Sequence, residues 1–125
     1  MKLLVGVHCI AFLFFIEACS NNTSVEGAYC NKMGKGDNRL ILNKDGDYIA
    51  LYIINQDTSR NMGRWIPHVQ DSRITDINLL GWKTLDPEMD SLYRCGHCDM
   101  DVRKIGDRII VDPDIDEHDY HRCSN

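Results

Sequence analysis

Past Phe15 the chain contains no phenylalanine: Phe12, Phe14 and Phe15 are the only three, and all stand in one apolar run near the start. A folded core built from the remainder must rest on Ile, Leu, Val, Tyr, Met and two tryptophans. No apolar stretch is long enough to span a bilayer as a helix. The longest, Leu3 to Ile16, has 14 residues, whereas about 30 Å of hydrocarbon needs roughly 20. A sustained 3.6-residue apolar period is missing too, which excludes a helical bundle. So are a Gly-rich phosphate loop, His-Glu-x-x-His and Gly-x-Ser-x-Gly, and with them the nucleotide, zinc-protease and serine-hydrolase chemistry those spacings carry. No histidine stands in a pattern that pairs it with a nucleophile, so a non-enzymatic protein with no cofactor is expected. There is no excess of positive charge either: the formal charge is −5. An acidic surface repels phosphate backbones, so nucleic acid is not an expected partner, and a partner steered by charge is expected to be basic.

What is present begins with Met1-Lys2, the apolar run to Ile16, and Glu17-Ala18-Cys19. A positive start, a hydrophobic centre and a small residue before a cut are the parts of a secretory signal, which predicts a signal peptide over residues 1–18. The polar stretch from Ser20 to Val25 reads as a tether, and residues 26–125 as a single domain.

Turn signals recur every 8–12 residues along that domain. Lys44-Asp45-Gly46-Asp47 is a hairpin turn, because Asp-Gly accepts positive φ. Tyr48 to Ile54 follows as a strand with Tyr48, Ala50, Tyr52 and Ile54 on one face and Ile49, Leu51 and Ile53 on the other. Two apolar faces suggest a central strand, or one whose outer face meets something. Further strands are predicted at Glu26–Cys30, Arg39–Asn43, Met62–Ile66, Arg73–Leu85 (bent at Gly81), Leu92–Cys95, Asp99–Lys104, Arg108–Val111 and Glu117–Cys123. Asn31–Asn38 and Asn55–Asn61 read as polar loops, Pro67 as a strand end or an edge, and Asp86-Pro87-Glu88 and Gly106-Asp107 as turns. The class is all-β, an antiparallel meander barrel or sandwich of about eight strands.

Two resemblances follow from these residues. Ile16-Glu17-Ala18-Cys19 resembles the lipobox of bacterial lipoproteins, with Glu17 standing where a small residue is usual. The resemblance implies lipidation of Cys19 and, with Ser20 rather than Asp next, an outer-membrane anchor facing the periplasm; cleavage without lipidation would give a soluble secreted protein. Gly27-Ala28-Tyr29, Leu40-Ile41-Leu42-Asn43-Lys44-Asp45-Gly46-Asp47-Tyr48 and Gly63-Arg64-Trp65, with Ile109-Ile110-Val111 and the closing Asp119-Tyr120-His121-Arg122, resemble small bacterial envelope proteins with a lipocalin-like meander. That resemblance implies a fold and no activity.

With Cys9 in the signal and Cys19 lipidated, Cys30, Cys95, Cys98 and Cys123 remain, an even number for an oxidising compartment. In an up-and-down barrel the first and last strands are neighbours, so Cys30–Cys123 is the expected long bridge and Cys95–Cys98 a local one. Cys95-Gly96-His97-Cys98 has the letters of a disulfide-isomerase active site but lies in a β-turn-β setting, with Arg94 in place of that family's Trp. Zinc is the weaker alternative for Cys95, Cys98, His118 and His121: three residues apart on a strand, the two histidines face opposite ways. Asp112-Pro113-Asp114-Ile115-Asp116 opens like a calcium loop but has Glu117 at the sixth position and Cys123 at the twelfth. Trp65 and Trp82 are expected in the core, with a ligand cavity as the alternative.

The expectation for function is a non-enzymatic lipoprotein of the cell envelope that binds an envelope or secreted protein, as inhibitors of lysozymes and immunity proteins against envelope-targeting toxins do. A small-ligand or zinc carrier is the second expectation, and a thiol oxidoreductase the third.

Overall fold

The computed structural model describes residues 24–33, 35–87, 98–112, 114 and 118–124. The predicted signal peptide, Cys19, most of the tether, the Leu92–Cys95 strand, Cys95 and its Gly96-His97 turn lie outside these residues. Eight strands follow one another around a closed antiparallel barrel: β1 (Gly27–Met33), β2 (Gly36–Leu42), β3 (Asp47–Ile54), β4 (Asp57–Gln70), β5 (Arg73–Trp82), β6 (Cys98–Ile105), β7 (Arg108–Ile110) and β8 (Tyr120–Arg122). The predicted all-β meander is the observed fold.

The alternation in β3 sets the inside. Tyr48, Ala50 and Tyr52 are buried, while Ile49, Leu51 and Ile53 on the opposite face are only half-buried. Tyr48 packs against Trp82 with ring centroids 5.9 Å apart, and Tyr29, Leu40, Leu42, Ile77, Leu79, Val102, Ile109 and Tyr120 complete the filling. Tyr48 stands opposite Gly63, and its hydroxyl donates to the Leu80 carbonyl at 2.8 Å. A Cβ at Gly63 would lie 2.7 Å from that ring and 2.3 Å from the Leu80 oxygen, so only glycine lets the tyrosine cross the strand. Both tryptophans belong to this packing: Trp82 is buried in it, and Trp65 lies against it with its indole N–H donating to the Asn43 carbonyl at 2.9 Å.

Three sequence expectations need correction. The Asn31–Asn38 stretch is not a loop but the paired ends of β1 and β2, with Met33 opposite Gly36. Its asparagines point inward and are buried: the Asn31 amide donates to the Asp119 carbonyl at 2.8 Å, and that of Asn38 to the Asp86 carboxylate at 2.8 Å. In the Asn55–Asn61 stretch only Asn55 and Gln56 form a turn, Asn55 at φ 55°, a conformation asparagine tolerates; from Asp57 on it is strand β4, paired with β3. Met62–Ile66 does not end at Pro67; β4 runs on to Gln70. β3 covers β4 only as far as Arg64, and beyond it β4 pairs with β5 alone. Pro67 therefore sits on an open edge, where a missing N–H costs no ladder bond.

Closure depends on a short contact. β8 meets β1 through two residue pairs, Tyr29 with Arg122 and Cys30 with His121. The Cys30–Cys123 disulfide ties the same strands with Cα atoms 5.0 Å apart, across a sequence separation of 93. The Arg122 guanidinium lies 4.5 Å over the Tyr29 ring and donates to the carbonyls of Glu26 and Ser24. Gly27, at φ 134°, leaves the room: a Cβ there would fall 2.2 Å from Arg122 Nη1.

Replacing both Cys30 and Cys123 by serine should lower unfolding free energy by as much as about 4.7 kcal/mol, the loop-entropy value for a loop of about 100 residues; urea titration of the oxidised protein and the double variant checks this. Alkali should act through the tyrosines. Burial raises the phenol pKa of Tyr29, Tyr48 and Tyr120 above the ordinary value. The unfolded chain therefore releases these protons first as pH rises, and stability falls. The melting temperature should hold up to about pH 9, drop beyond about pH 10 where free tyrosine ionises, and drop less steeply in Tyr29→Phe.

Candidate functional site

The outer wall of β1 to β4 is composed by register. Ala28, Ile41, Ile49 and Met62 stand opposite one another across the four strands, forming one apolar row. The next row reads His121, Cys30, Arg39, Leu51 and Arg60, and the one beyond it Lys32, Asp37, Ile53 and Thr58. On the other side of the apolar row, Asp47 faces Arg64 and Arg64 faces Leu80. Antiparallel partners share a face, so these side chains lie together on the outside. Met62 is 60% exposed; Ala28, Lys32, Arg39, Arg60, Arg64 and His121 are exposed as well.

This wall carries cations on an acidic chain. Its two carboxylates, Asp37 and Asp47, stand across from Lys32 and Arg64, whereas the row holding Arg39 and Arg60 contains no acid. Neither arginine forms an ion pair among the described residues. On β5 and β6, Asp76, Asp99 and Asp101 face outward, with Arg103 opposite Asp76; other exposed acids, Asp45, Asp57, Asp71 and Asp107, stand in turns or at strand ends. Asp101 accepts a bond from the Asn78 amide at 2.6 Å, and Asp99 one from the Gly81 N–H at 3.2 Å. A net charge of −5 thus averages over two unlike walls. At its β8 end the basic row opens into a cleft of about 430 Å³ beside the disulfide, lined by Lys32, Asn38, Arg39, His121 and Arg122 among others.

The interior offers less room. Between Asn38, Ala50, Trp82, Leu85 and Tyr120 the free space is about 10 Å³, no more than one water needs. The polar groups at this end bind one another: Asp86 holds Asn38, and Arg108 pairs with the buried Asp119.

The residues singled out for chemistry are dispersed. Cys30 and Cys123 form the expected bridge. Cys98 is disulfide-bonded too; with the other two described cysteines joined to each other, its partner lies outside the described residues, as does the expected pairing with Cys95. A bonded sulfur is not a free thiolate for zinc. His118 is buried whereas His121 is exposed on β8, and no group of three His, Cys, Asp or Glu among the described residues is arranged to hold a metal. Sequence reasoning missed Arg39 and Arg60, which only register brings to either side of Leu51; the visible signal was the second apolar face of β3.

Among the described residues, fold and surface define a stapled barrel with a packed apolar core and a wall on β1 to β4 that is both apolar and basic. Comparison with protein-family models, with curated proteins and with solved structures finds no match in any of the three.

Side chains kept for folding and side chains kept for contact should separate on substitution. Met62→Ser, on the wall, should change stability by no more than about 0.5 kcal/mol. Ile77→Ala, in the core, should cost about 2–5 kcal/mol. Urea unfolding of both variants measures the difference.

Proposed function

We propose that this protein is a non-enzymatic binding module of the bacterial cell envelope, anchored through a lipid on Cys19. On this reading it engages another envelope or secreted protein, as an inhibitor or immunity protein against an envelope-targeting toxin or lysozyme does. One observation carries the reading: among the described residues the inward side chains pack into one core, while apolar and charged side chains stand exposed on the outer wall. A carrier needs the reverse arrangement, an apolar cavity of a few hundred Å³ with a few placed polar groups. Three disulfide-bonded cysteines, Cys30 and Cys123 with each other and Cys98, suit an oxidising compartment.

The anchor also suits the fold. From Cys19 to Ser24 the chain reaches at most roughly 17 Å when extended, so a lipid on Cys19 would hold the barrel close to the bilayer. A small rigid domain so held meets its partner with little freedom left to lose, and binding is stronger for it.

Cys19→Ala should move the protein from the membrane fraction to the soluble periplasmic fraction, with the mature mass falling by the acyl chains. A photo-crosslinking residue placed in turn at Leu51, Met62, Asn78 and Asp101, in cells exporting the protein through its own leader, should capture a discrete exported protein at one or more positions. A barrel that captures nothing at any of the four would defeat the binding-module reading.

A further inference from the structure

We infer that the β1–β4 wall is the docking surface for an acidic protein, one that brings an apolar side chain flanked by carboxylates onto Leu51, Ile49 and Met62. The inference rests on the binding-module reading and adds to it the surface and the chemistry of the partner.

Strand spacing gives the template its size. Neighbouring strands lie about 4.8 Å apart, so Arg39 and Arg60, one strand to either side of Leu51, are separated by roughly 10 Å at the backbone. The apolar row Ala28–Ile41–Ile49–Met62 crosses four strands, roughly 14 Å, one alternation away along the strand. An incoming apolar group on Leu51 and Ile49 would place carboxylates to either side within reach of two planar guanidiniums. Arginine binds carboxylate in paired hydrogen bonds, and these bonds gain strength as the apolar row excludes water around them. Lys32 and Arg64 stand at the edges of the same wall, opposite Asp37 and Asp47.

The placement favours a protein over a lipid surface. The apolar row lies in the middle of the wall, bounded along the strands by Arg39 and Arg60 on one side and by Asp47 and Arg64 on the other. Pressing it into hydrocarbon would carry both charged rows with it at a large desolvation cost. A second copy of the chain is disfavoured by symmetry. Asp76, Asp99 and Asp101 lie on the β5–β6 wall, so contacts between this wall and the basic one would be head to tail rather than the two-fold contact commonest in dimers.

The test selects partners by chemistry. The purified protein, exported through its own leader and oxidised, is panned against a phage-displayed random dodecapeptide library at physiological salt. Enriched peptides should combine Asp or Glu with Leu, Ile or Trp. A synthetic peptide of the consensus should bind about tenfold more weakly to Arg39→Glu and to Arg60→Glu, and with unchanged affinity to Asp99→Lys and Asp101→Lys. Arg39→Gln, which removes the charge without reversing it, should fall between, and resistance of the Cys30–Cys123 bridge to alkylation checks that each variant is folded. Several results would overturn the inference: basic consensus peptides, no enrichment, or loss of binding only in the Asp variants. So would binding to phosphatidylglycerol vesicles that Arg60→Glu abolishes, or self-association in sedimentation that Arg39→Glu abolishes. Crosslinking at Asn78 or Asp101 but not at Leu51 or Met62 would overturn it while leaving the binding-module reading in place.

Discussion

Everything in this barrel depends on joining its last strand to its first. Seven of the eight neighbouring pairs are made between strands consecutive in sequence. The eighth must bring a three-residue strand back across nearly the whole chain. Without it, β1 and β8 would each present an open edge. Two residue pairs are a thin ladder for that task. The chain reinforces them with chemistry that is not backbone pairing: a covalent bond between Cys30 and Cys123, and one guanidinium that reaches two carbonyls while lying on an aromatic face. Gly27 has no side chain because Arg122 passes where one would be.

With the seam closed, inside and outside serve different ends. Tyr29, Tyr48 and Tyr120 combine volume with a hydroxyl, and two of those hydroxyls are anchored on backbone carbonyls of Val25 and Leu80. They do the work that phenylalanine does in most cores. The packed core holds the strands, and side chains held on strands lose little freedom on docking. The β3 strand shows both roles at once: its even-numbered residues build the core and its odd-numbered ones face out among arginines.

The parts of this molecule written in local pattern were legible in the sequence. Asp45-Gly46 announced a hairpin, the two-residue period of β3 announced its faces, and Gly81 marked the bend where β5 shifts register against β6. Cys30 with Cys123 followed from the topology alone. What failed was the equation of polar with loop. Asn31 and Asn38 are strand residues facing inward, because Asp119 and Asp86 wait there to bond them; those partners are distant in sequence and carry no local mark. The Asp57–Asn61 segment is strand because β3 supplies a ladder, whatever its own preference. The basic row was illegible for a related reason. Net charge is a sum over the chain, and the meeting of Arg39, Leu51 and Arg60 is a property of register, which a one-residue slip would abolish.

The long staple has a consequence for how the chain must come into being. Synthesis and threading through any pore proceed from the N-terminus, so β1 emerges first and waits. Its partner on one side, β2, arrives almost at once; the other arrives with the last few residues. Until then the nascent chain is a curled ribbon with Cys30 as an unmatched thiol and no completed interior. A fold whose closing strand is β8 cannot lock early, because Cys30 meets its native partner only once Cys123 has been made.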